Sequence, residues 1–249
     1  MLRRFYVREL RVDDTTCVIS GSEARHISKV LRMRPGDRFI LMDGKGARFR
    51  AVIEAVSSRD VSARIEMRMP DPSPSPVTII VCQAVLKSRS MDYLVQKTSE
   101  LGVERICLFF SERTVPRFDP ERLSKKMRHW EEIAISAAKQ CGRAVPVKID
   151  MPGSFGALLK KYRGMDAMKV ILWEEERSGS LKMFLRSSPR LPGTFVGIVG
   201  PEGGFSREEI RSATDAGFVS ACLGERILRA ETAAITLAAI VQYELGDFE

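Results

Sequence analysis

Short runs in which apolar and polar residues alternate fill the first seventy residues of the chain. Alternation with a period of two predicts strands that bury one face, and several such strands joined by tight turns predict a small β-barrel. Turn sequences at residues 34–37 and 43–46 separate some of these runs. The predicted strands are residues 5–7, 16–20, 38–42, 47–56 and 61–67.

A proline-rich segment then interrupts the pattern. Four of the seven residues from Pro70 to Pro76 are prolines. Because proline removes a backbone donor and fixes φ, this segment cannot form a helix or a central strand, and it is typical of a short, stiff linker. We therefore predict two domains, at residues 1–72 and 73–249.

Beyond the linker, continuous apolar runs alternate with segments of helical period. Asp119 before Pro120 predicts one helix start, and Ser206 with Glu209 predicts a capping box at another. Strands that alternate with helices predict an α/β domain whose parallel sheet is covered on both faces. The predicted strands are residues 77–86, 105–110, 169–173, 194–199 and 219–223, and the helices are 91–101, 120–142, 206–217 and 230–245.

Two turns near the carboxy terminus carry the candidate chemistry. Residues 200–204 read GPEGG after a buried strand, and residues 223–233 read LGERILRAETA before a helix. If both turns follow neighbouring strands of a parallel sheet, they form one crevice suited to a nucleotide-like ligand. Neither phosphate-binding glycine signature is present, and Glu202 disfavours a phosphate at this turn.

The start of the last helix adds a charged pair. Glu231 is favoured there by the helix dipole, whereas Arg229 is opposed by it. An arginine in this position therefore indicates an anionic group nearby.

Composition excludes some classes of protein. The 249 residues are 44% hydrophobic and 29% charged, and no apolar run approaches the length of a membrane span. No secretory signal is recognisable, and the five cysteines and two histidines do not have metal-ligand spacing. We expect a cytoplasmic protein with reduced thiols, no membrane association and no bound metal.

The positive charge is unevenly distributed. Residues 1–72 contain 15 basic and 10 acidic side chains, residues 73–148 contain 13 and 8, and residues 149–249 contain 12 and 14. A basic surface on the first three-fifths of the chain indicates a polyanionic partner, most plausibly nucleic acid.

Eight motifs spread along nearly the whole chain carry a family resemblance. They are GPEGGFS at residues 200–206, LGERILRAETA at 223–233, KSRSMDYLVQKTSELGVERI at 87–106, SERT at 111–114, FYV at 5–7, HISKVLR at 26–32, WEEI at 130–133 and AKQCGR at 138–143. Together they resemble the RsmE family of 16S rRNA uridine N3-methyltransferases, which belongs to the SPOUT class. The departures are Tyr93, where tryptophan is frequent, and Cys141, where serine is usual. The resemblance implies an α/β SPOUT-type domain with a parallel sheet and a C-terminal trefoil knot, preceded by a PUA-like β-barrel.

The resemblance also implies that three loops surround the methyl donor S-adenosylmethionine (SAM). Backbone groups of Leu223, Ile227 and Leu228 would hold the adenine, and Glu202 would reach a ribose hydroxyl or the sulfonium. The implied donor-binding residues are Leu172, Trp173, Glu174, Val199, Gly200, Pro201, Glu202, Gly203, Leu223, Gly224, Ile227, Leu228, Arg229, Thr232 and Ala233.

The chemistry of the implied reaction and the basic charge of the chain supply candidate catalytic and RNA-binding residues. N3 of uracil is weakly acidic, so Arg229 is the candidate that stabilises developing charge on a carbonyl oxygen, and Glu231 is a candidate base. We expect the substrate to be 16S rRNA, in the assembled 30S subunit, and the enzyme to be a homodimer through the knot domain. The candidate RNA-binding residues are Arg3, Arg4, Lys29, Arg32, Arg34, Lys87, Arg89, Arg113, Arg117 and Arg143.

Two other functions remain open at this point. One is a non-catalytic RNA-binding ribosome-assembly factor with a vestigial donor site, and the other is an enzyme that binds a different adenosine-type ligand without RNA. The intact sequences of both turns favour a catalytic site over the first alternative. The basic N-terminal region argues against the second.

Overall fold

A computed structural model describes residues 2–7, 15–57, 59–70, 73, 75–187 and 193–248. The chain divides into two compact units. Unit 1 comprises Met1–Ser73 and Ala138–Pro146, and unit 2 comprises Pro74–Ala137 and Val147–Glu249. Of the predicted linker, Asp71, Pro72 and Pro74 lie outside the described residues.

The segment Ala138–Pro146 is the main difference from the predicted division, because the sequence analysis assigned it to the second domain. Arg4 helps to explain its place in unit 1. The guanidinium group of Arg4 donates to the backbone oxygens of Lys139, at 3.2 Å, and Gln140, at 3.0 Å. These are carbonyl groups at the end of a helix, where the helix itself supplies no donor.

Unit 1 is built on a five-stranded sheet. Its elements are β1 (Arg4–Tyr6), β2 (Thr16–Ile19), α1 (Gly21–Arg25), a π-helical turn (His26–Val30), β3 (Arg38–Met42), β4 (Arg48–Val56) and β5 (Val61–Arg68). The strand order is β1-β3-β4-β5-β2, in which β1 and β3 are parallel and the other pairs are antiparallel. The strands, helix α1 and the π-helical turn bury one shared apolar cluster around Phe5, Ile27 and Phe39.

Unit 2 is built on a six-stranded sheet in which all described strand pairs are parallel. The strands are β6 (Thr78–Ala84), β7 (Arg105–Phe110), β8 (Lys148–Ser154), β9 (Met168–Leu172), β10 (Thr194–Val199) and β11 (Val219–Ala221). The helices are α2 (Ser88–Glu100), α3 (Pro120–Cys141), α4 (Phe155–Tyr162), α5 (Leu181–Arg186), α6 (Arg207–Asp215) and α7 (Ala230–Leu245).

Two apolar clusters lie on the two faces of this sheet, which confirms the predicted α/β architecture. One cluster joins α2, α3 and α7 to the sheet, and the other joins α4 and α6 to it. Gly197 on β10 allows α7 to approach closely, because a Cβ atom at this position would overlap the side chain of Leu237.

The order of the strands corrects one prediction. The order is β11-β9-β10-β6-β7-β8, so the two candidate turns, which follow β10 and β11, do not follow neighbouring strands. After β9 the chain returns to insert β10 between β9 and β6, and it then adds β11 beyond β9. The turns still meet, because all three strands are parallel and end at the same edge of the sheet. The trefoil knot stays a prediction.

Candidate active site

A cavity of about 540 Å³ lies at the carboxyl ends of β9, β10 and β11. The turns that follow these strands form most of its wall, and Lys87 and Ser90 at the start of α2 complete it. Of the predicted donor-binding residues, all but Gly203 and Thr232 line the cavity, and so does Glu231. Its apolar wall includes Leu172, Trp173, Val199, Leu223, Ile227 and Leu228.

The glycine-rich turn at residues 199–204 is fixed by the neighbouring strand β6. Gln83 on β6 is fully buried, and its Nε2 atom donates to the backbone oxygens of Gly200 and Ala84, both at 3.0 Å. The guanidinium group of Arg113 donates to the backbone oxygen of Gly203 at 3.1 Å. A turn with these contacts has its shape set before any ligand binds.

Position 204 requires glycine for two reasons. Its φ is +68°, in the left-handed region. A Cβ atom there would also overlap the carboxylate of Glu174. Glycine at this position therefore makes room for the acidic side chain that follows β9.

Glu202 has a structural partner that the sequence analysis did not foresee. Its Oε1 atom accepts from the backbone nitrogen of Lys87 at 3.2 Å. Lys87 is the N-cap residue of α2 and provides no side-chain cap of its own. Glu202 thus satisfies a donor near the start of α2, and this contact competes with the predicted contact to a donor molecule.

The polar turn at residues 223–228 is different in character. Within the described part of the chain its residues make no hydrogen bond. Gly224 has a φ of +126°, and the side chain of Ile227 is 84% exposed. This turn is therefore free to adjust its shape when a ligand enters the cavity.

The two candidate catalytic residues follow this turn. Arg229 is the N-cap residue of α7 and is exposed, and Glu231 lies half-buried in the first turn of α7. Both line the cavity. An arginine and a carboxylate thus lie at the wall of one cavity, where they can carry out acid–base chemistry on a bound nucleobase.

The loop after β9 is held by another carboxylate. Glu176 accepts from the hydroxyl of Ser178 at 2.7 Å and from the backbone nitrogens of Ser178 and Arg177 at 2.9 and 3.0 Å. The hydrogen bonds from the side chain and backbone of Ser178 favour the charged form and lower the pKa of Glu176 to about 2.

Sequence reasoning missed several residues of the cavity wall. Most of them lie within or next to the two recognised turns. Ser90 carries no local signal, since it reaches the cavity only because β6 lies beside β10; Lys87 was predicted as an RNA contact alone. The residues missed as wall residues are Lys87, Ser90, Gly204, Phe205, Ala221, Cys222, Glu225, Arg226 and Ala230.

The candidate RNA-binding residues of each unit differ in their availability. In unit 1, Arg4 is engaged with helix carbonyl groups, and Arg143 is half-buried, so these two have structural contacts. Arg32 is exposed and has a φ of +49°, the only described non-glycine residue with a positive φ. The exposed members of the set are Arg3, Lys29, Arg32, Arg34, Lys87, Arg89, Arg113 and Arg117.

Comparison with known families agrees with this architecture. A model of the RNA methyltransferase domain matches residues 73–242, and a model of the RNA methyltransferase PUA domain matches residues 19–66. The chain belongs to the RNA methyltransferase family. The PUA match confirms the PUA-like character predicted for the N-terminal region. Among the residues described, no helix has the length and apolar character needed to cross a membrane.

Individual relatives identify the branch of the RNA methyltransferase family to which the chain belongs. Ribosomal RNA small subunit methyltransferase E of Mycobacterium tuberculosis is 31% identical over 240 residues, which cover 95% of this chain and 90% of that protein. The Bacillus subtilis protein of the same name is 30% identical over 232 residues, covering 92% and 90%. These values confirm the predicted membership of the RsmE family.

Two solved structures resemble the whole chain. The ribosomal RNA small subunit methyltransferase E of Neisseria gonorrhoeae, bound to SAM, has a TM-score of 0.90 and 33% identity. A Legionella pneumophila protein in complex with its bound cofactor SAM has a TM-score of 0.91 and 34% identity. Both comparisons cover 100% of each chain.

Proposed function

We propose that this chain is a SAM-dependent methyltransferase that methylates N3 of a uridine in 16S rRNA. One observation carries the proposal: the cavity at the ends of β9, β10 and β11 is lined by the same turns that carry the family motifs. Family membership and the similarity to structures that contain SAM support it.

The cavity has the properties that an adenosyl ligand needs. Its volume lies in the range of small-molecule sites, and its wall combines apolar side chains with a few polar groups. Gly200 lets the ring of Phe205 pack against the backbone of the turn, since a Cβ atom there would lie 3.0 Å from that ring. When bound, SAM supplies an electrophilic methyl group.

The remaining chemistry falls to two side chains of this protein. The N3 proton of uracil must leave, and negative charge then develops on the adjacent carbonyl oxygens. Arg229 would stabilise that charge, and Glu231 would accept the proton. Replacing Glu231 with glutamine should therefore lower turnover more than it lowers donor affinity, and normal turnover would remove Glu231 from the chemistry.

RNA binding would use the exposed basic residues of each unit, including Arg3 and Lys29 in unit 1 and Lys87 and Arg89 in unit 2. Contacts with phosphates release counterions, so affinity for RNA should fall steeply as salt is added. The proposed substrate is 16S rRNA within the assembled 30S subunit. An enzyme with this substrate would act in the cytoplasm.

We also propose a homodimer that forms through the knot domain. Helix α7 is rich in apolar residues, and Tyr243 near its end is 70% exposed. A second copy of the chain would cover this side chain. Light scattering on the purified protein tests the proposal, and a monomer at all concentrations would contradict it.

The non-catalytic assembly factor is the weaker alternative. A factor that only binds RNA has no use for a cavity walled by two glycine-bearing turns and a charged pair. The retained cavity therefore favours the enzyme.

Two measurements test the proposed function together. S-adenosylhomocysteine should raise the thermal midpoint of the protein, because a ligand that binds only the folded state stabilises it. Labelled methyl groups should then pass from SAM to 30S subunits that lack the modification, and to a lesser extent to free 16S rRNA. If S-adenosylhomocysteine does not stabilise the protein and no methyl group passes to either substrate, the assembly factor with a vestigial donor site is supported instead.

A further inference from the structure

We propose that Glu174 makes the cavity selective for a cationic adenosyl ligand, the sulfonium donor, over its neutral demethylated product. This inference rests on the proposed function and concerns the same site. It assigns to one carboxylate the discrimination between SAM and S-adenosylhomocysteine, which differ by a methyl group and one positive charge.

Glu174 lies at the wall of the cavity, against the glycine-rich turn. Glu174 lies two residues after the end of β9 and lines the cavity. Its carboxylate occupies the space that a side chain at Gly204 would take. Since Gly204 belongs to the turn fixed by Gln83 and Arg113, the carboxylate rests against a firmly held surface.

The lack of a compensating partner is the second step. Among the described residues, no donor or cation contacts the carboxylate of Glu174. The nearby carboxylates do have partners: Glu175 pairs with Arg207 at 3.5 Å, and Glu176 accepts from Ser178. The negative charge of Glu174 is therefore available to a ligand in the cavity.

The charges around the cavity give the third step. Its wall contains four carboxylates, of Glu174, Glu202, Glu225 and Glu231, and three cationic side chains, of Lys87, Arg226 and Arg229. At neutral pH, SAM carries a net charge of +1, and S-adenosylhomocysteine carries none. A wall with excess negative charge attracts the cation more strongly, and expulsion of water by the ligand strengthens the attraction.

Glu174 is the best placed of the four carboxylates. Glu202 already accepts from the backbone of Lys87, and Glu225 lies on the turn that makes no hydrogen bond. Glu231 lies in the first turn of α7, where the helix dipole partly offsets its charge. An unpaired carboxylate that packs against a held turn discriminates between charges better than one that is already compensated or that lies on a turn without hydrogen bonds.

Selectivity of this kind has a consequence for turnover. The product of methyl transfer loses the positive charge that Glu174 attracts, so its affinity falls as the reaction is completed. Release of S-adenosylhomocysteine would then be faster than release of SAM.

Titration calorimetry on the unaltered protein and two variants tests the inference. The probes are SAM, S-adenosylhomocysteine and sinefungin, a stable analogue whose amine is cationic at neutral pH. Replacing Glu174 with glutamine should weaken SAM and sinefungin about tenfold and S-adenosylhomocysteine less than twofold. Glu175→Gln is the matched control, since Glu175 adjoins Glu174 in the chain but does not line the cavity, and it should change none of the three affinities.

Each outcome decides the matter. Equal weakening of all three ligands, or no weakening of any, would overturn the selectivity assigned to Glu174. If the unaltered protein binds none of the three ligands, the proposed function itself is overturned. If Glu174→Gln fails to fold, the unaltered protein suffices: its preference for SAM over the neutral product should shrink as salt is added, and a preference unaffected by salt would overturn the inference.

Discussion

The glycine-rich turn at residues 199–204 is held by Gln83, Arg113 and the capping contact of Glu202, whereas the polar turn at residues 223–228 makes no hydrogen bond within the described part of the chain. Both turns line the same cavity. The first has a shape that is set before any ligand binds, and the second is free to adjust its shape when a ligand enters the cavity. The site therefore combines a preformed half with an adaptable half.

The largest expected effect concerns the end of the adaptable turn. Replacing Arg229 with alanine should lower turnover by about a hundredfold or more, because a group that stabilises developing negative charge is lost. Donor affinity should change little. Single-turnover methyl transfer and calorimetry with SAM separate the two effects, and the conservative variant Arg229→Lys should recover part of the rate. An equal loss of affinity and rate would place Arg229 in donor binding instead.

Alanine substitutions at Gly204 and Gly224 test whether the two turns differ in rigidity. Alanine at Gly204 adds strain of about 1–2 kcal/mol at positive φ and also displaces Glu174, in a turn that cannot relax. We expect donor affinity to fall about tenfold. Alanine at Gly224 is also strained, at a φ of +126°, but it meets no atom within 4 Å and its turn makes no hydrogen bond that opposes adjustment, so we expect a smaller loss. Similar losses in the two variants, measured by calorimetry, would show that the turns do not differ in rigidity.

Gln83 tests what holds the preformed turn. Replacing it with leucine removes the donor to the carbonyl of Gly200 and should lower the free energy of unfolding by about 1–2 kcal/mol. The cost is limited because Oε1 of Gln83 is itself buried without a partner among the described residues. Chemical denaturation measures the change. An unaltered stability together with unaltered donor affinity would mean that strand β6 does not fix the turn.

The smallest expected effect depends on pH. The pKa of Glu176 is lowered to about 2, so its contribution to stability is fully present above the ordinary pKa of a glutamate and is lost as the pH falls towards 2. Replacing Glu176 with glutamine should therefore lower the thermal midpoint at pH 7 by more than at pH 3. A difference between the two proteins that is equal at both pH values would contradict this assignment.

The sequence alone predicted the strands and helices that show a clear period or cap. Helix α3 begins at Pro120 after Asp119, whose side chain accepts from the backbone of Arg122 at 2.8 Å, and α6 has the predicted capping box. Strand β8 was missed because Pro152 and Gly153 break its apolar pattern. Helices α4 and α5 have only 8 and 6 residues, too few to show a helical period.

The sequence predicted the parts of the site whose residues are contiguous in the chain. It did not predict the parts that the order of the strands brings together. The two turns were recognised, but the position of β9 between β10 and β11 cannot be read from local pattern. A second feature of the strand order, the position of β6 beside β10, brings Ser90 to the cavity and Glu202 to Lys87. Contacts between residues more than a hundred positions apart leave no local sequence signal.

The most direct test of the central claim identifies the modified nucleoside. Purified protein, SAM and 30S subunits that lack the modification should yield one 3-methyluridine for each 16S rRNA molecule, as measured by mass spectrometry of the digested RNA. Absence of a new methylated nucleoside, or a methyl group on a different base, would contradict the account.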